Sequence, residues 1–528
     1  MQETAIEGFR LSPQQRRLWS LVRQSPAAPY RTGCRVLLEG AADEAALRAA
    51  LREVVRRHEV LRTGFRRLPG MSLPLQVIGQ DYEPLSDVRT VYGEGAAGPG
   101  GDDEWRSGVE GQAASEPVDD GRLEARLVRL GVDRQMLELS LPAMCCDAVG
   151  LRNLVEEISR CYGAAVSGEP LADEPVQYVD LSEWQNELLE AETAAAGKAY
   201  WGRQDLTELE SLKLPYRREV PQADFSTRVV SVNIDTATMK RVEALIEEDD
   251  STAAAFYLTC WQVLLCRLTG QPRVTVGVCF DGRNYDGLDS AVGLFSRYLP
   301  LPTPAQEPAV TFGRLLGEVT RVSRECTEHQ EYFNWEQFAA PAAGSPAADG
   351  YPCLYEYAEQ PLALSAAGLS FIIQREHSCP ERFHLRLRCL RSAAAVSAEF
   401  HYDQSLYDRE DISRLAEEFA TLVTSASSSA PRSPVSELEV VGERERRLLL
   451  HDWNDTAAEF PRHLGVHQLF ERQARRTPDA PAVVCGDEAL SYAELDARAE
   501  VIARRLRRLG VVADSRVALL LERSAAAI

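Results

Sequence analysis

The stretch from Leu137 to Gly150 limits the possible folds more than any other part of the chain. Leu137, Leu139 and Leu141 alternate with other residues as the inward face of a strand does. Pro142 stops that strand, and Asp147 can cap a helix whose apolar face repeats at Leu151, Leu154, Val155 and Ile158. A strand that runs so directly into a helix leaves a short loop with exposed backbone N–H groups, a common place for chemistry. This loop carries two thiols, Cys145 and Cys146, and one carboxylate, Asp147, but no histidine.

Other elements can be read in the same way. Ser12 caps an expected helix that has Pro13 at its first position, and Asp43 begins another with Leu47, Leu51, Val54 and Val55 on one face. His58, just after that face, reads as a packed or surface histidine rather than a catalyst. Residues 91–115 turn to Gly, Ala, Asp and Glu and read as a flexible surface insertion. Strand signals resume from Leu123 to Leu130 and lead through Gly131-Val132-Asp133 into the central stretch.

Bulk properties exclude several classes of function. A chain of 528 residues has room for about three or four domains. A net charge of −22, with pI near 5.0, argues against a nucleic-acid or anionic-membrane surface, both of which need clustered Lys and Arg. The first residues lack a signal peptide's basic start and apolar core, and no apolar run approaches the ~20 residues of a bilayer span, so a cytoplasmic protein is expected. The 12 cysteines include no Cys-x-x-Cys pair. Reduced thiols are expected, with neither a disulfide frame nor a metal site.

Several pieces together resemble successive motifs of nonribosomal peptide synthetase condensation domains. They are Ser12-Pro13-Gln14-Gln15-Arg16-Arg17-Leu18-Trp19, Arg57-His58-Glu59-Val60-Leu61-Arg62-Thr63-Gly64-Phe65, Tyr178-Val179-Asp180-Leu181-Ser182-Glu183-Trp184, Val292-Gly293-Leu294-Phe295 and His329-Gln330-Glu331-Tyr332. Weaker matches agree at Ala199-Tyr200-Trp201, Leu212-Lys213-Leu214-Pro215, Gly282-Arg283-Asn284 and His401-Tyr402-Asp403. Order and spacing match from about residue 10 to residue 430. The resemblance implies an α/β (α+β) fold of two chloramphenicol-acetyltransferase-like lobes in a V, residues 1–175 and 176–430, with a tunnel between them. In that family a carrier-bound acyl donor and an aminoacyl acceptor meet in the tunnel. No cofactor is bound directly; phosphopantetheine arrives on upstream and downstream carrier domains.

The central loop departs from the family. Its motif there reads His-His-x-x-x-Asp-Gly, the second His positioning or deprotonating the attacking amine. Aligned on Asp147, this chain has Pro142 and Ala143 at the histidine positions and Ala148 at the glycine. Ala143 can neither accept a proton nor carry charge. By the resemblance Asp147 is structural and pairs with Arg62. Cys145 and Cys146 are weak candidates for an acyl-cysteine nucleophile, with packing the favoured role. Arg297 and His384 stand where the family has Asn and Asp, and together with Pro142 and Ala148 they are the expected tunnel residues. Arg297 there would bind a carboxylate or narrow the channel, against the alternative of a surface salt bridge.

Two functions follow. In one, the domain binds carrier-tethered groups and recruits a tailoring enzyme. In the other, it forms an amide by alignment alone, without the usual His. Further on, residues 425–434 are rich in Ser and Pro and read as a stretch that cannot continue a helix, opening a linker assigned to residues 431–455. Leu448 to Trp453 with Asn454-Asp455-Thr456 resembles the tether to an adenylation domain. Leu490-Ser491-Tyr492-Ala493-Glu494-Leu495 resembles that domain's first motif. No Gly-rich phosphate loop follows Leu495, so residues 456–528 read as an adenylation fragment whose remaining sequence is a further expected partner.

Overall fold

The computed structural model describes residues 7–25, 30–90, 121–171, 173–204, 209, 212, 214–218, 225–248, 250–304, 309–335, 351–428, 433–522 and 524–528. The Gly- and Asp-rich stretch 91–115 and Lys213 lie outside them. The chain divides into two compact units, Met1–Glu443 and Arg444–Ile528.

The first unit is built on two six-stranded sheets. Its strands are β1 (Arg31–Glu39), β2 (Thr63–Arg66), β3 (Leu75–Ile78), β4 (Leu85–Thr90), β5 (Glu124–Arg129), β6 (Arg134–Pro142), β7 (Thr227–Ile234), β8 (Thr275–Phe280), β9 (Arg297–Pro302), β10 (Tyr351–Glu359), β11 (Leu364–Ala366), β12 (Leu369–Ser378), β13 (Phe383–Arg391) and β14 (Val396–Asp403). The first sheet runs β11-β12-β1-β6-β5-β4 and the second β7-β14-β13-β10-β8-β9; β2 and β3 form a separate hairpin. The two sheets and their helices are two lobes, each around its own apolar core. Strands β11 and β12 come from the second half of the sequence but complete the first sheet, β12 lying antiparallel to β1. The lobe division expected at residue 175 is therefore crossed by residues 364–378.

The first lobe's helices form where their caps and apolar faces dictate. The helix Pro13–Gln24 starts in a capping box of Ser12 and Gln15, and Asp43 accepts from Ala45 N and Ala46 N to start Glu44–Arg57. Leu47, Leu51, Val54 and Val55 of the latter are buried, as are Leu151, Leu154, Val155 and Ile158 of the helix Ala148–Ser167. Each side chain so buried stabilises the lobe by about 1.5–3 kcal/mol. His58 is buried beside Glu157, in keeping with a packing role.

Residues 425–428 do not begin a linker. The helix Arg409–Ser428 continues through them, and the Ser427 and Ser428 hydroxyls bond back to Thr424 O. Serine is a modest helix former whose hydroxyl can be satisfied within the helix, so a Ser-rich run alone does not stop one. Residues 433–438 then pack onto the second lobe, where Val435 and Leu438 are buried and Arg267 donates to the carbonyls of both.

The second unit holds a helix Val466–Arg476, a hairpin of Pro481–Cys485 and Glu488–Ser491, and a helix Tyr492–Arg508 capped by Ser491 and Glu494. Among its described residues only Ala474, Leu490 and Ala525 are buried, while Val501, Ile502, Leu519 and Leu520 are exposed. No helix among the described residues is long and apolar enough to cross a membrane.

Candidate active-site loop and inter-lobe cavity

The loop after β6 is held from three sides. Ala143 N donates to Tyr30 O (3.1 Å), Gln15 Nε2 donates to Met144 O (3.1 Å), and Asp147 N donates to Gly293 O (3.1 Å). Ala143 is 0% exposed, its methyl part of the first lobe's apolar core. Pro142 lies in the ladder opposite Arg31. Neither Pro142 nor Ala143 offers a titratable group here: one is a ladder residue and the other a packing methyl.

Asp147 is the loop's anchor. Its Oδ1 caps the following helix by accepting from Gly150 N (2.7 Å) and also accepts from Arg283 Nη2 (2.9 Å). Oδ2 accepts from Arg283 Nη1 (3.2 Å), Phe295 N (2.8 Å) and Ser296 N (2.7 Å). The carboxylate is 0% exposed and ties the first lobe to the segment 283–296 of the second. Burial opposes the Arg283 charge, but Asp147 and then Asp281 more than restore it, and its pKa is raised. The arginine also stacks on Phe295, its carbon 4.2 Å from the ring centroid.

Arg62 is not the partner of Asp147. It donates to Gly79 O (2.8 Å) and faces Glu59 and Asp81, because the turn that carries it packs against the β3 end of the hairpin rather than the central loop. The partner is Arg283 of the match Gly282-Arg283-Asn284, and the glycine before it is the signal in the sequence. Gly282 has φ +77°, and a Cβ there would lie 2.4 Å from Phe295 O, so this turn needs glycine to deliver the arginine.

Neither thiol is poised for attack. Burial pushes Cys145 up to about 12, partly offset by Arg31, and burial followed by Asp147 raises Cys146. Both are fully buried, and Cys146 Sγ donates to Asp147 O. A protonated thiol sealed in a core is a packing group. Among the described residues no group of His, Cys, Asp and Glu could hold a metal ion.

The expected tunnel residues separate. Arg297 is neither on the surface nor available to a ligand: buried, it donates to Gln330 O (2.8 Å) and pairs with Glu331 (2.8 Å), both from the His329 motif. His384 is buried in β13, and burial, then Arg217 and Arg382, lower its pKa to about 3, so it is neutral. Ala148 does line open space. With Val149 and Arg152 it forms one wall of a cavity of ≈ 80 Å³ whose other walls include Asp281, Ser296, Tyr298 and Glu356.

Two of the cavity's wall residues, Arg152 and Glu356, belong to an ionic network that the sequence did not reveal. Arg152 grips Glu376 with two nitrogens, Arg388 bridges Glu376 and Glu356, and Arg388 also faces Glu399. Arg152 and Glu376 belong to the first lobe and the others to the second, so the network joins the lobes as Asp147 and Arg283 do.

The two sheet lobes joined across a central loop define a chloramphenicol-acetyltransferase-like fold, an architecture shared with solved structures. One is the complex of the X-domain and OxyB from teicoplanin biosynthesis (TM-score 0.68, 20% identity, 83% of this chain and 97% of that one). Another is the first condensation domain of the CDA synthetase (TM-score 0.68, 19% identity, 83% and 99%). The chain belongs to the condensation-domain family, whose model matches residues 6–450, and the model of AMP-binding enzymes matches residues 470–528. Relatives include tyrocidine synthase 3 of Brevibacillus parabrevis, 29% identical over 98% of this chain, and gramicidin S synthase 2 of Aneurinibacillus migulanus, 28% identical over 99%. The chain spans 8% and 12% of their respective lengths.

Proposed function

We propose that this condensation-family domain serves a cytoplasmic nonribosomal peptide synthetase as a holding module. It binds acyl or aminoacyl groups tethered through phosphopantetheine to neighbouring carrier domains and presents them to another protein. The observation that carries this reading is the buried methyl of Ala143 where the family has its proton-handling imidazole, within an anchor of Asp147 and Arg283 that is fully formed. The loop keeps its frame and lacks its base. The X-domain, solved in complex with OxyB, gives a tailoring enzyme as the kind of partner that fits.

Amide formation by alignment is the second reading, favoured by the same intact anchor. Loss of a general base typically costs about 10²–10⁴-fold, whereas alignment of two reactants contributes ~7–11 kcal/mol. A single-turnover assay with both carriers loaded separates the two. The holding module gives no amide product within the time a condensing domain needs for completion, and Ala143→His does not restore it, because the imidazole has no open space at a core position. Product from the unmodified chain that disappears when carrier entry is blocked would overturn the holding reading.

A further inference from the structure

The helix Ala148–Ser167 is tied to the second lobe along its first two turns. Asp147, its cap, holds Arg283, Phe295 N and Ser296 N, and gives its own N–H to Gly293 O. Asn153 Nδ2 donates to Asp289 O (2.8 Å) and Ala291 O (3.0 Å). Arg152 reaches further by way of Glu376, which accepts from it with both oxygens and also pairs with Arg388 of β13. A bulge turns Glu376 toward this helix. Strand β12 pairs Ile373 with Val36 but Arg375 with Arg35, so Gln374 is skipped and Glu376 falls opposite Cys34, a residue of the first core.

Gly150 shows how closely the lobes meet. Glycine is a poor helix former, yet one stands in the first turn of this helix. A Cβ there would lie 2.9 Å from Gly293 O and 3.1 Å from Arg283 Nη2, both of the second lobe, and 3.0 Å from Cys146 Sγ. The second lobe in turn enters the first. Strands β8 and β9 are antiparallel neighbours, and the connection 281–296 between them leaves their sheet to bury Val292, Leu294 and Phe295 in the first core.

We propose that the first two turns of this helix are a rigid joint that fixes the angle between the lobes. A single contact could serve as a pivot. Here the contacts from Asp147 to Asn153 span about 9 Å of helix and engage two separate parts of the second lobe, the 281–296 connection and β13, so turning about one strains the other. The Asp147, Arg283 and Glu376 side chains are buried, so water cannot readily replace a bond that turning breaks. Close-packed interiors transmit such strain rather than absorb it. A fixed angle suits holding and condensing alike, so this proposal stands apart from the holding reading.

Double electron–electron resonance on the whole chain tests this, with Cys485→Ser to remove an exposed thiol. Spin labels are placed at Arg52→Cys, in the first lobe's helix Glu44–Arg57, and at Lys240→Cys, in the second lobe's helix Thr236–Glu248. One narrow distance is expected. Gly150→Ala, which adds only a methyl at the joint, should displace or broaden it. Asn153→Ala, which frees only the carbonyls of Asp289 and Ala291, should broaden it. Circular dichroism checks that each variant folds, and Asn153→Ala, at a partly exposed position, decides alone if Gly150→Ala does not. Two distances or one broad spread without these two substitutions would show that the lobes move, and would overturn the proposal. A narrow distribution that neither substitution alters would overturn it as well, since the angle would then be set elsewhere.

Discussion

Five hydrogen bonds converge on the Asp147 carboxylate, and two of them come from a guanidinium that is itself almost wholly buried. A buried pair of this kind is costly to break from one side, since the remaining charge has lost its partner and cannot reach water. Asp147→Ala should therefore lower unfolding free energy by about 3–5 kcal/mol, read from urea denaturation. A loss below ~1 kcal/mol, the range of exposed pairs, would show that the anchor does not hold the loop. Arg297 and Glu331 form a second buried pair, so a cation that the sequence suggested for ligand binding is used internally. These pairings explain why the site was only partly legible. That Asp147 is structural follows from its position before a helix, which is local information. Its partner lies 136 residues away and Arg297's lies 34 away, and one sequence does not say which of many arginines meets which carboxylate.

At the scale of elements, what was legible is what a short stretch decides for itself. The capped starts at Ser12, Asp43 and Asp147 formed as their sequence indicates, and β6 formed with Leu137, Leu139 and Leu141 buried, but it is no half-buried strand, since Met136 and Ser140 on its other face are buried too. The return of β12 to the first sheet was not legible, because strand pairing is chosen by distant partners rather than by the strand's own residues. The end of the helix Arg409–Ser428 was not legible for the opposite reason: its local composition suggests a break that the rest of the fold overrides. The buried apolar face there continues to Ala426, and tertiary packing carries the helix past its serines. Ala426→Pro is a direct check. In a linker the substitution would be nearly neutral, but here it removes a helical hydrogen bond and should cost ~3 kcal/mol or more by thermal or urea denaturation. An unchanged midpoint would return residues 425–428 to the linker.

The two units of the molecule differ in how much side-chain surface each has buried. In Met1–Glu443 both sheets are six strands wide with their own apolar cores, and β1 and β6 lie in the interior of the first sheet. In Arg444–Ile528 the described residues form one two-stranded hairpin and helices with few buried side chains. A two-stranded hairpin is marginal in water by itself, and local opening is easiest where few apolar contacts must be broken. Native-state hydrogen exchange followed by mass spectrometry should rank the units accordingly. Amides in Arg31–Glu39 and Arg134–Pro142 sit in interior strands, so they should exchange only through the largest openings. Those in Val466–Arg476 and Tyr492–Arg508 should exchange faster by a factor of about ten for every ~1.4 kcal/mol that separates the two opening free energies. Equal protection in both sets would mean that the short elements of the second unit draw their stability from contacts beyond the side chains buried within them.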